Sequence, residues 1–259
     1  MNTETPILLE TSGGVATITL NRPQTMNALD VAMGRALRET FESLAKDRST
    51  RAVIVRGAGR CFSAGGDVSL LAAHPESVPE LIAEVHDAAR AMAALDAPVI
   101  ASVHGVAAGA GMSLVAACDL AIAADATRFN LAFANVGTSC DTSSTWHLPR
   151  LVGLRRALEI ALLGDTYDAD AALRIGLVNR VVPADALEAQ TLALALRLAS
   201  GATLAFGRIK RLMRHSFESS LTDQLDAERE AFIASSHTDD FREGTAAFLA
   251  KRAPRFRGH

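Results

Sequence analysis

Apolar and polar positions follow two rhythms along this chain. Residues 15 to 20 set Val, Ile and Leu against Ala and Thr with a period of two, just after the turn residues Ser12, Gly13 and Gly14, and read as a strand. A helical period starts at about Asp30, with Met33, Leu37, Phe41 and Leu44 forming one apolar stripe. The order then recurs: strand 52 to 56, Gly-rich loop, helix from about 79 to 95; strand 99 to 103, loop, helix 110 to 118. A repeat of about 40 residues predicts stacked α/β turns. Beyond it, 120–123 and 128–131 read as short strands around Asp125, and the polar stretch 137–145 leads into a helix holding Trp146, Leu148 and Leu151. Residues 167 to 175 read as a short helix stopped by Gly176, and 178–182 as a strand. The remainder reads as helices at 186–199, 203–215, 221–234 and 238–250, whose leftover apolar faces suit contact with another chain.

Two strand-to-helix junctions carry the candidate chemistry. One runs from Val99 through Gly105, Gly109 and Gly111; the other from Val53 through Phe62-Ser63-Ala64-Gly65-Gly66-Asp67. Small residues let a ligand approach the main chain, and the first N–H groups of a helix have no intrahelical partner. Two such loops can put two donors on one oxygen, an oxyanion hole in which each donor is typically worth about 3 to 4 kcal/mol in the transition state. The plainer alternative is close helix-on-sheet packing. A dinucleotide fingerprint fits poorly, because Leu114 stands where the third glycine belongs.

Composition narrows the class. With 259 residues, 49% apolar, the chain buries a full core, as one large domain or two small ones. A formal charge of −3 with 5% aromatics gives no nucleic-acid signature. Arg208, Lys210, Arg211 and Arg214 cluster at helical spacing, which suits a solvated face or a polyphosphate contact. Cys61, Cys118 and Cys140 form no C-x-x-C pair, no apolar run is long enough to span a membrane, and no signal peptide is expected, which together predict a reduced, cytoplasmic setting. No histidine or acid cluster has metal-ligand spacing, so no metal is expected.

Phe62-Ser63-Ala64-Gly65-Gly66-Asp67 and Gly105-Val106-Ala107-Ala108-Gly109-Ala110-Gly111 resemble the two oxyanion-hole motifs of the crotonase (enoyl-CoA hydratase/isomerase) superfamily. The resemblance continues through Asn21-Arg22-Pro23, Leu148-Pro149-Arg150-Leu151-Val152-Gly153, Gly176-Leu177-Val178 and Phe248-Leu249-Ala250-Lys251-Arg252. It implies an α/β fold, a ββα spiral over 1–199, followed by an all-helical trimerisation region over 200–259, with trimers pairing into hexamers. It also implies that the N–H groups of Ala64 and Ala110 hold the thioester oxygen of an acyl-CoA, which is substrate; no separate cofactor is expected. Coenzyme A contacts carried over from the family fall on Gln24, Thr25 and Met26, on Ala64 and Asp67, and on Phe248 with Lys251, the last pair reaching a neighbouring subunit's nucleotide.

Hydratases of this superfamily use two glutamates, because adding water across a double bond needs a base and an acid on one face. Those positions fall on Ser113 and Phe133 here, so the resemblance makes both acyl-pocket residues rather than acids. The remaining candidate is Asp141, eight residues before Pro149. That stretch, Cys140 to Arg150 with Trp146 as a further pocket residue, resembles the 1,2-epoxyphenylacetyl-CoA isomerases, in which one aspartate moves one proton. A partial resemblance to 4-chlorobenzoyl-CoA dehalogenases adds His86, twelve residues before Pro98, as a further catalytic candidate. Double-bond isomerase is the leading reading. A dehalogenase-like hydrolase, an enoyl-CoA hydratase, and a non-catalytic acyl-CoA binder in which Asp141 only caps a helix are the alternatives.

Overall fold

The computed structural model describes residues 5–259. Its strands are β1 (Ile7–Ser12), β2 (Val15–Leu20), β3 (Ala52–Gly57), β4 (Val99–Val103), β5 (Val106–Ala108), β6 (Leu120–Ala124), β7 (Arg128–Asn130), β8 (Thr166–Asp168) and β9 (Arg180–Val182). The helices are α1 (Val31–Lys46), α2 (Val68–Ala73), α3 (Val78–Ala94), α4 (Ala110–Ala117), α5 (Ser144–Val152), α6 (Leu154–Leu163), α7 (Ala169–Arg174), α8 (Leu187–Ala199), α9 (Thr203–His215), α10 (Leu221–Ser236) and α11 (Asp239–Leu249). No single described helix is long and apolar enough to cross a membrane.

Six strands form one sheet in the order β1-β2-β3-β4-β6-β9, all parallel except β1 against β2. Alternate side chains divide between its faces, as a period of two requires. Ala16, Ile18, Val53, Val55, Val99 and Ala101 enter the main core with Met33, Leu37 and Phe41 of α1. Val15, Ala52, Ile54 and Ile100 point the other way, onto Ala195 and Ala199 of α8. A smaller sheet has the order β5-β7-β8, with β5 parallel and β8 antiparallel to β7. Helix α4, Ala-Gly-Met-Ser-Leu-Val-Ala-Ala, is buried at all eight residues and accordingly carries no charged side chain.

The predicted spiral and helical tail are both present, and the differences are local. Tyr167 lies in β8 rather than in a helix, since Asp168 caps the next turn by accepting from the Ala171 N–H. The loop expected after β4 contains β5, and α2 and α6 stand where only motifs or loops were read. Strand β1 was missed because five of its six residues are exposed.

Candidate active site

The two Gly-rich junctions touch. Ser63 donates its N–H to Val106 O (3.1 Å) and accepts from Ala108 N–H (2.9 Å), so β5 runs beside the first loop. A Cβ on Gly65, whose φ is 96°, would lie 2.7 Å from Ala108 O, and one on Gly111 would lie 2.6 Å from Ser63 O. Only glycine permits this approach. The buried side chain of Asn27 holds the first loop from beneath, its Nδ2 donating to the carbonyls of Ala58, Cys61 and Phe62.

The donor pair differs from the expected one. Ala64 donates its N–H to Met26 O at 2.9 Å, so that N–H is not free to hold a ligand oxygen as expected. Gly66 sits between two loop hydrogen bonds, Leu29 N–H to Gly65 O and Asp67 N–H to Leu29 O. Among the described residues, the N–H groups of Gly66 and Ala110 have no acceptor. Both residues line one cavity of about 180 Å³. Ala110 opens α4, so its N–H sits at the positive end of that helix. Nothing in Phe62-Ser63-Ala64-Gly65-Gly66-Asp67 distinguishes position 64 from 66; the acceptor that decides it comes from another segment.

Asp141 supplies the only carboxylate in the cavity lining. Two consecutive left-handed residues, Thr142 (φ 52°) and Ser143 (φ 60°), turn the chain sharply after it. Its backbone oxygen accepts from the Ser144 N–H, while Ser143 holds the N-cap position of α5 without a side-chain cap. The carboxylate is therefore not a helix cap. Oδ1 meets His86 Nε2 from α3 at 2.6 Å, and Oδ2 accepts from Thr142 Oγ1 at 3.3 Å. His86 itself does not line the cavity; it stands behind Asp141, with 38% of its side chain exposed. Phe133 does line the cavity, aimed by a tight turn at Ala132 (φ 47°) in which the Phe133 N–H reaches Leu131 O. Val68, Leu71, Val78, Leu81, Ile82 and Val85 supply an aliphatic wall.

Other expected site residues lie elsewhere. Ser113 is buried and donates back to Gly109 O, outside the lining. Trp146 also lies outside it, its Nε1 donating to Glu218 and its ring stacked under the Arg150 guanidinium at 4.0 Å. Gln24 and Thr25 form a single turn beside the first loop, which Met26 joins through the bond to Ala64. Asp67 is taken up by structure, capping α2 through Leu70 N–H and pairing with Arg22 at 3.4 Å. Phe248 and Lys251 are exposed and apart from this cavity; Phe248 lines a separate one between α9 and α11.

The basic cluster proves to be neither a solvated face nor a phosphate site at its centre. Lys210 Nζ meets Asp119 Oδ2 at 2.6 Å and donates to the carbonyls of Leu95 and Ala97, while Arg214 holds Asp119 Oδ1 at 2.8 Å. Burial pulls the Lys210 ammonium below the ordinary lysine range, with Asp119 opposing the shift. Nearby His147 is pushed down to about 4, by burial first and then by Arg214 and Arg150.

The family model for enoyl-CoA hydratase/isomerase matches residues 10–259. The 1,2-epoxyphenylacetyl-CoA isomerase of Escherichia coli strain K12 is 38% identical over 97% of this chain and 98% of its own. A protein of Rhodobacter capsulatus described as a probable enoyl-CoA hydratase is 37% identical, with 97% and 98% covered. The crystal structure of an enoyl-CoA hydratase from Mycobacterium smegmatis superposes with a TM-score of 0.92 at 38% identity, covering 98% of this chain and 99% of that one.

Proposed function

The chain belongs to the enoyl-CoA hydratase/isomerase family, and within it we propose that it isomerises an enoyl-CoA thioester, using Asp141 as a single acid–base group. The observation that carries this reading is the make-up of one cavity: one carboxylate, the unpaired N–H groups that its two Gly-rich loops present at Gly66 and Ala110, and otherwise apolar or hydroxyl side chains. With the thioester oxygen on the N–H groups of Gly66 and Ala110, Asp141 takes a proton from the α-carbon of a 3-enoyl thioester. The electron pair shifts onto the thioester oxygen, giving a dienolate whose charge meets the two donors and the α4 N-terminus. The protonated Asp141 then returns its proton two carbons along, and the double bond ends conjugated with the carbonyl.

Hydration asks for a second acid–base group beside the first. Ser113, bonded to Gly109 O, and Phe133 cannot supply one, which favours isomerisation over water addition. His86 supports a hydrolase reading in that it stands beside Asp141, as a water-activating base would. Its Nε2 is directed at Asp141 itself at 2.6 Å, which suits holding the carboxylate better than activating a separate water.

The deciding experiment incubates wild type and Asp141→Asn with 3-enoyl-CoA, crotonyl-CoA and 4-chlorobenzoyl-CoA, and identifies products by chromatography and mass. The expected result is 2-enoyl-CoA from the wild type, little hydration, and loss of isomerisation in the variant by orders of magnitude with acyl-CoA affinity nearly kept. Efficient crotonyl-CoA hydration, or an active Asn variant, overturns the reading. Chloride release through an aryl ester of Asp141, formed by attack of the carboxylate on the chlorine-bearing ring carbon and then hydrolysed, gives the hydrolase instead.

A further inference from the structure

The cavity that holds Asp141 ends on a wall that is also the wall of a second cavity. Leu29, Leu71 and Leu81 line both. The second, of about 220 Å³, lies between the start of α1, helix α2 and the start of α3, where Val31, Leu70 and Ser77 add to its lining. Leu29 and Leu81 are core side chains, 2% and 5% exposed. Leu71 is half-buried and belongs to a helix of only six residues, whose other large apolar side chains, Val68 and Leu70, are more exposed and only border the cavities. So short a helix has little stability of its own, and its position depends on the packing of Leu71. A Cβ on Gly66 would lie 3.5 Å from Leu71 Cδ1, which puts this side chain beside one of the two oxyanion donors.

We propose that Leu71 is a movable partition in the acyl channel. An unbranched apolar chain too long for the first cavity displaces it and continues into the second, so the site takes medium- and long-chain enoyl thioesters and Leu71 sets the chain-length boundary. The inference rests on the acyl-CoA reading of the Asp141 cavity. At about 180 Å³ the first cavity alone is smaller than the roughly 300–1,000 Å³ of ordinary ligand pockets, and only the two joined reach that range. Neither is lined by Lys or Arg, and the Asp30 and Asp67 carboxylates at the second are already held by Arg22. A chain ending in a methyl group suits this path; one ending in a carboxylate finds no Lys or Arg in its walls, and the one histidine there, His74, already meets Glu76 at 3.2 Å.

The test is a chain-length profile in two readouts. Saturated acyl-CoAs of six, ten and fourteen carbons are titrated calorimetrically into wild type, Leu71→Ala and Ser77→Trp, and kcat/KM is measured for 3-enoyl-CoAs of the same lengths. Leu71→Ala is expected to raise the fourteen-to-six-carbon ratio about tenfold in affinity. Ser77→Trp, which fills the second cavity from its far side, is expected to lower it about tenfold. A ratio that neither variant moves overturns the partition. A calorimetric shift without isomerisation of any substrate sustains the partition and rejects the isomerase reading.

Discussion

Asp141 and His86, 55 residues apart in sequence, meet at 2.6 Å between Oδ1 and Nε2. The bond joins the loop after β7 to the middle of α3, so one oxygen of the carboxylate is fixed; in the proposed reaction Oδ2, with its longer bond to Thr142, is the oxygen that moves the proton. His86 is in these terms a positioning residue. His86→Leu removes the partner while leaving the cavity lining intact, and kcat is expected to fall about ten- to a hundredfold with KM moving little. His86→Gln, which keeps a donor at similar reach, is expected to recover most of the loss. A fall in KM and kcat together, with no rescue by glutamine, would show that His86 only supports the fold.

The oxyanion hole is testable at Ala110 because proline lacks the N–H yet fits the first turn of a helix. Ala110→Pro is expected to lower turnover by about a hundred- to a thousandfold, the usual cost of losing one donor. Affinity for a saturated acyl-CoA is expected to change far less. Equal losses in both would mean that the loop binds without stabilising the enolate.

Close approach of the two loops at Gly111 gives a prediction about stability. Gly111→Ala places a methyl 2.6 Å from Ser63 O, and backbone there has little room to give. Overpacking of this kind costs about 1 to 3 kcal/mol, read as a lowered urea midpoint, and should also reduce activity by parting Gly66 from Ala110. An alanine variant with wild-type midpoint would show the loops to be looser than they stand.

His147 sets a pH window. Its folded value is pushed down to about 4 from an ordinary 6.5, chiefly by burial, so between those values the unfolded chain binds the proton more readily. The stabilisation is fully present above pH 6.5 and is lost as pH falls toward 4, on the order of 3 kcal/mol over that window. Urea unfolding from pH 7 to 4 checks it, with His147→Gln expected to show a shallower decline. Parallel curves for the two proteins would remove His147 as the cause.

Assembly follows from what the helical tail leaves uncovered. Phe248 and Leu249 of α11 are each 82% exposed, and Met213, Phe217, Leu221 and Phe232 of α9, α10 and the segment that joins them are exposed as well. Large apolar side chains left this exposed suit a partner surface, and light scattering at micromolar concentration is expected to give a trimer or a hexamer of this chain. A monomeric mass would sink the expectation.

The spiral was legible because its strands and helices are long enough to carry a period, as in 15–20 or the stripe from Met33 to Leu44. Strands β5 and β8 have three residues each, too few for any rhythm, and they emerge only when β7 lies between them. At the site, Asp141 and the loop containing Ala110 could be read from motifs. The choice of Gly66 over Ala64 could not, since it turns on Met26 O, nor could the outward turn of Trp146, which answers to Arg150 and Glu218. Local sequence named the loops, and contacts between distant segments assigned the atoms.

The clamp on Asp119 bears on the order in which the molecule matures. Asp119 follows α4 directly, and its carboxylate also receives the Val99 N–H at 2.8 Å, so it ties the oxyanion helix to the central strand. Its cations, Lys210 and Arg214, arrive late, the second 95 residues further on. A chain emerging from the ribosome folds its early segments first. Until α9 docks, Asp119 lacks its counter-charges and the carbonyls of Leu95 and Ala97 lack their donor at the end of α4. The ion pairs at the end of α4 are therefore completed only once the last quarter of the chain, which carries α9, has been made.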